Sequence, residues 1–144
     1  MNMISIVIIG FIVLETTNVI ALYFFPGSKY ANSVGVFRAW ERSKLEPEMH
    51  DFVRYLVNWV AGTKLIFLLL LIVILFTADA EGLFFTGAAL VISISSFFWR
   101  LFPLIRKMDR EDQIDPKNYS AILGLMISGF VLVFLLALLI SGRG

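Results

Sequence analysis

Cysteine is absent from the chain, and histidine occurs only once. Without cysteine the protein cannot contain disulfides, thiolate metal sites, iron–sulfur clusters or a cysteine nucleophile. The sequence also lacks a phosphate-binding glycine loop, a dinucleotide-binding fingerprint, an HExxH motif and a nucleophile elbow, so it predicts no cofactor and no metal. The net charge is only +1, which gives no electrostatic reason to expect a nucleic-acid partner.

Apolar residues are what the chain has in excess. They make up 59% of its 144 residues, and the mean hydropathy is +0.87. Soluble domains have an apolar share of roughly 45–50%, and a soluble fold of this length could not cover more. The composition therefore indicates a membrane protein, and the length predicts a single transmembrane domain over residues 1–144.

Four apolar segments are long enough to cross a bilayer, whose core of about 30 Å requires roughly 20 residues in a helix. The N-terminal segment lacks the basic region and cleavage site of a signal peptide, so we expect it to be retained as a span. The runs are continuous and lack the alternation of barrel strands. The sequence thus predicts an all-α integral membrane four-helix bundle with spans at about 3–25, 55–76, 83–105 and 119–141.

Basic residues are concentrated in the first and third connections. Because basic loops stay cytoplasmic, we expect both connections on the cytoplasmic side of the cell (plasma or inner) membrane and both termini outside. These side chains could also contact anionic lipid head groups, so the expected partners are the bilayer and its head groups. The residues are Lys29, Arg38, Arg42, Lys44 and Arg54, then Arg106, Lys107, Arg110 and Lys117.

The long first connection has the pattern of a short interfacial helix. Val36, Phe37 and Trp40 recur at helical spacing, which predicts a helix lying on the membrane surface. Pro47, flanked by acidic residues, predicts that the second membrane helix begins there, before its apolar span. Asp115 precedes a proline in the same way, and we predict that it is the N-cap of the fourth helix.

Polar side chains interrupt three of the predicted spans. By the helical rise, Glu15 in the first span and Lys64 in the second both lie roughly 15 Å deep, and Arg100 lies roughly 8 Å deep. A lone charge at the membrane centre costs on the order of 2.5–3.5 kcal/mol, so we predict that Glu15 and Lys64 form an ion pair, with Arg100 as a second cation. The predicted site comprises Glu15, Asn18, Lys64, Ser93, Ser96 and Arg100, the last three forming one helical stripe.

Three functions are compatible with this pattern. The first is a small transporter, channel or ligand-binding protein whose polar site, net positive in charge, suits an anionic ligand; a homo-oligomer would enclose the larger cavity. The second is a non-catalytic scaffold or subunit whose buried charges set helix packing. The third is a membrane enzyme acting on a lipid-like substrate, with Glu15 as general acid or base, but no second catalytic group converges with it.

Overall fold

The computed structural model describes residues 2–142 and confirms an all-α bundle. Four helical segments are long and apolar enough to cross a membrane, so the chain is a multi-pass membrane protein. A short helix lies in the first connection, as predicted, and a 3₁₀ turn at Val34–Val36 precedes it. The α-helices are α1 (Met3–Phe24), α2 (Arg38–Ser43), α3 (Pro47–Thr77), α4 (Ala80–Ser95), α5 (Phe97–Arg110) and α6 (Tyr119–Ser141).

The main core lies in the half of the bundle that contains the helix ends nearest the chain termini. α1 packs against α3 and α6, and α4 packs against α6. Phe11 is at the centre of an aromatic cluster, with edge-to-face contacts to Phe134 at 5.7 Å and Phe130 at 6.1 Å between ring centroids. Many large apolar side chains point outward, as contact with lipid requires. The buried core consists of Ile4, Ile8, Phe11, Leu71, Leu83, Leu90, Phe134 and Ala137.

The third span, predicted at about residues 83–105, is present at Ala80–Arg110 and is interrupted at Ser96, between α4 and α5. The Ser96 hydroxyl donates to the Ser93 carbonyl oxygen at 2.6 Å, and its ψ of −21° is typical of 3₁₀ geometry. Serine hydroxyls that bond back to the preceding turn bend helices. Pro103 inside α5 supplies no backbone donor, which weakens the hydrogen-bond ladder further along the same segment.

The second membrane helix begins at Pro47, as predicted, but the predicted N-cap of the fourth helix is wrong. α6 begins at Tyr119, and the Asp109 carboxylate accepts hydrogen bonds from the backbone N–H of Ser120 at 2.9 Å and from its hydroxyl at 2.6 Å. Asp115 instead forms an ion pair with Lys29. A carboxylate from the end of α5 therefore caps α6 across the connection, in place of a residue adjacent in sequence.

The first and third connections pack against each other. The Arg38 N–H donates to the Gln113 carbonyl at 2.9 Å, and the Asp115 N–H donates to the Val36 carbonyl at 2.8 Å. Val36 and Trp40 are buried against the protein, with 1% and 6% of their surface exposed. The 3₁₀ turn and the short helix thus pack against the protein through Val36 and Trp40, and the two backbone hydrogen bonds join both connections into one layer at this end.

Candidate intramembrane binding site

A cavity of about 800 Å³ lies between α1, α6 and the broken third span, in the half of the bundle nearest the first and third connections. α3 contributes Lys64 to its wall, and residues 29–32 of the first connection form its rim. The six residues that sequence reasoning singled out come from three different spans. All of them line this one cavity: Glu15, Asn18, Lys64, Ser93, Ser96 and Arg100.

The predicted ion pair is present. Lys64 Nζ lies 2.5 Å from Glu15 Oε2, and Asn18 Nδ2 donates to Glu15 Oε1 at 3.2 Å. The two charged side chains retain 29% and 20% of their surface exposure. The pair therefore joins α1 to α3 and leaves this part of the wall neutral, with both groups still reachable from the cavity.

Arg100 carries the charge that the pair does not balance. No carboxylate within the described part of the chain lies within 4.0 Å of its guanidinium, which lies 5.9 Å from the centroid of the Trp99 ring. Ser96 lies one turn before Arg100 and lines the same cavity; its hydroxyl proton is donated to the Ser93 carbonyl, so its oxygen retains only acceptor capacity. The stripe thus presents one free cation beside a neutral hydroxyl.

The break at Ser96 lies in the cavity wall, and its backbone stays close to helical, with φ −59° and ψ −21°. Ser96, Phe97 and Arg100 all line the cavity, and the Ser96 backbone remains hydrogen-bonded on both sides, because its N–H donates to the Ile92 carbonyl and its carbonyl accepts from the Trp99 N–H, each at 3.1 Å. Irregular backbone at membrane depth is tolerated where it lines a cavity, and broken helices mark ion and substrate sites in transporters.

The wall opposite the charges is apolar. α6 contributes Ile122, Met126, Ile127 and Phe130, and Phe11 of α1 closes the deep end beside Phe130. These two rings belong to the aromatic cluster of the core. The cavity is therefore amphipathic, with polar groups on one side and hydrocarbon on the other, and Phe11 and Phe130 separate it from the packed core.

The rim contains residues that sequence reasoning missed. The Tyr119 hydroxyl donates to Asn32 Oδ1 at 3.2 Å, and Lys29 pairs with Asp115 nearby. The hydrogen bond and the positive charge of Lys29 lower the pKa of Asp115 below its ordinary value of 3.8. Partners more than 80 positions apart leave no local signal in the sequence, so only the packed connections reveal them.

Within residues 2–142, no group of three or more His, Asp or Glu side chains could hold a metal ion. The single histidine, His50, lies outside the cavity, with Nδ1 2.9 Å from the Ser43 hydroxyl oxygen and its ring against Trp40. Fold and cavity together define a multi-pass helical membrane protein with an amphipathic cavity among its spans. Comparison with family models, with curated proteins and with solved structures finds no match to this chain.

Proposed function

We propose that this protein binds an anionic ligand in the cavity beside Arg100, as a ligand-binding protein or small transporter. One observation carries the proposal: Glu15 is neutralised by Lys64, whereas Arg100 faces the same cavity without a carboxylate partner. An anion would supply the missing negative charge.

The surroundings increase the strength of this interaction. Charges attract more strongly away from bulk water, and the apolar wall formed by α6 keeps part of the cavity in a low-dielectric environment. An unpaired arginine in a membrane span is costly and commonly marks a ligand or ion pathway. We therefore assign Arg100 as the principal anion-binding residue, with Lys64, Asn18, Ser93 and Ser96 as supporting polar contacts.

Charge reversal of the probe and removal of Arg100 test the proposal. We expect the protein in nanodiscs to bind hexyl phosphate but not hexylammonium. Arg100→Gln should weaken hexyl phosphate binding about tenfold or more, because a hydrogen bond to a charged group contributes about 1.5–3 kcal/mol. Arg54→Gln is the matched control, since Arg54 is exposed on α3 and does not line the cavity.

Two results would contradict the assignment. One is equal binding of hexyl phosphate and hexylammonium, because a net positive cavity must discriminate between them. The other is an equal loss of affinity in Arg100→Gln and Arg54→Gln, which would indicate a general surface charge effect. Isothermal titration with each probe separates these cases.

The side from which the ligand arrives follows from the basic residues. The rim of the cavity is formed by the first connection and Tyr119, at the end of the bundle that contains both basic connections. We propose that this end faces the cytoplasm and that both termini lie outside. A reporter enzyme that works only outside the cell membrane should therefore be active when it is fused after α6. A fused reporter that is active in the cytoplasm would show the opposite orientation.

Transport would require a path from the deep end of the cavity through the packed core. Phe11 and Phe130 separate the cavity from the packed core in the other half of the bundle. Binding without flux is expected while these rings stay in contact. Anion flux into proteoliposomes that increases in Phe11→Ala would support a transport cycle, whereas unchanged flux would favour a binding protein.

A further inference from the structure

A second opening adjoins the cavity. It is a groove of about 360 Å³ on the lipid-facing surface between α1 and α6. Cavity and groove share Phe11, Leu14, Met126 and Phe130, so the two are adjacent. Beyond these shared residues the groove is lined by apolar side chains and glycine: Val7, Gly10, Gly129, Val133 and Phe134.

The two glycines leave this groove open. A Cβ atom at Gly10 or Gly129 would have no neighbouring atom within 4 Å. The contrast is with Gly87 and Gly124, where a Cβ would lie 2.5 Å from Ile4 and 2.7 Å from Phe102. Those glycines permit close packing inside the bundle, whereas Gly10 and Gly129 face space that the chain itself does not fill.

We infer that the ligand is a lipid-like amphiphile, with its anionic head group at Arg100 and its hydrocarbon chain in this groove. The inference rests on the proposed function and specifies its ligand class. The cavity supplies the charge and the adjoining groove supplies an apolar channel without a polar side chain. From Leu14 to Val7 the groove continues roughly 10 Å along α1.

The direction of the groove agrees with that class. Along α1 and α6 it runs from the cavity toward the chain termini, away from the basic connections. A lipid in the leaflet on the basic side has the same orientation, with its head group toward those connections and its chain toward the membrane centre. Such a molecule could enter sideways from the bilayer without reversing its direction.

Selectivity for the chain must come from shape. Lipid tails are as apolar as the groove, so a chain gains no hydrophobic free energy when it moves from one to the other. Filling the groove with protein atoms should therefore exclude a long chain and leave the head-group site unchanged. Gly10→Leu and Gly129→Leu do this, because both positions have room for a larger side chain.

The experiment compares dodecyl phosphate with hexyl phosphate in nanodiscs of zwitterionic lipid, with each probe expressed as its mole fraction in the bilayer. The dodecyl chain is longer by six carbons, so we expect it to enter the groove and the hexyl chain to end within the cavity. We expect both leucine variants to weaken dodecyl phosphate binding about tenfold and hexyl phosphate binding less than about twofold. Ala89→Leu, exposed on α4 and outside both openings, should change neither.

The alternative occupant is a helix of a second copy, since glycines on membrane helices also mediate association. Native mass spectrometry of the same variants distinguishes the two. A shift from oligomer to monomer, with dodecyl affinity unchanged, would overturn the lipid assignment. An equal loss of affinity for both probes in the leucine variants would also overturn it. If Arg100→Gln leaves the affinity for hexyl phosphate unchanged, the proposed function itself is refuted, which is a separate result.

Discussion

Replacing Lys64 by methionine should destabilise the protein because it leaves the Glu15 carboxylate charged without its cation. Removing one partner of a buried ion pair costs about 3–5 kcal/mol. The Lys64 and Glu15 side chains retain 29% and 20% exposure, and Asn18 still donates to the carboxylate at 3.2 Å, so the cost should be smaller. We expect the free energy of unfolding to fall by about 2–3 kcal/mol in Lys64→Met.

Glu15→Gln should cost less, about 1–2 kcal/mol, because the amide oxygen can still accept a hydrogen bond from Lys64. The double variant leaves no unpaired charge and should recover most of the loss. The predicted coupling energy is therefore about 1.5–3 kcal/mol. Unfolding of the four proteins in mixed micelles measures it, with Leu65→Met on the exposed face of α3 as control.

Additive single changes would refute this reasoning. If the double variant loses the sum of the two single losses to within about 0.5 kcal/mol, the groups do not interact across α1 and α3. Recovery of stability together with intact hexyl phosphate binding would indicate a structural role for the pair and assign anion recognition to Arg100 alone. Recovery of stability with lost binding would include the pair in the site.

Three further predictions concern the connections. Gly35→Ala should lower the free energy of unfolding by about 1–3 kcal/mol, because the alanine Cβ would lie 2.1 Å from a backbone carbonyl oxygen. Gly10→Ala should have little effect, because a Cβ there meets no atom within 4 Å. Asp109→Ala should lower the free energy of unfolding by about 1–2 kcal/mol and speed amide hydrogen exchange at the start of α6. Unchanged exchange would contradict the capping role of Asp109. Lys29 lowers the pKa of Asp115. The ion pair between them therefore stabilises the fold above pH 3.8, and this contribution is lost as pH falls through the lowered pKa. The stability difference between wild type and Lys29→Met should therefore disappear in acid, and a difference that grows there would refute the sign.

The sequence by itself determined the four membrane helices and the pairing of charges. The length of an apolar segment identifies a membrane span, because the thickness of the bilayer sets how many apolar residues a helix needs to cross it. Counting residues along a helix gives depth, and Glu15 and Lys64 at equal depth had strong energetic reason to pair. Arg100 and the two serines followed from helical spacing, and their common cavity depended on how three spans pack.

Only the tertiary structure decided what surrounds those charges. Between Ile6 and Leu14 α1 is apolar on all sides, and between Ala121 and Ile140 α6 carries a single polar side chain, Ser128. Composition there does not indicate which face points inward, and packing alone made Phe11 and Phe130 the deep end of the cavity. The rim pairs residues 86 and 87 positions apart, which no local pattern encodes. The cap of α6 by Asp109 was likewise missed, because a carboxylate from the preceding helix satisfied donors that the sequence had assigned to Asp115. Depth is a property of one helix, whereas rotation about its axis and contacts between connections are properties of the assembled bundle.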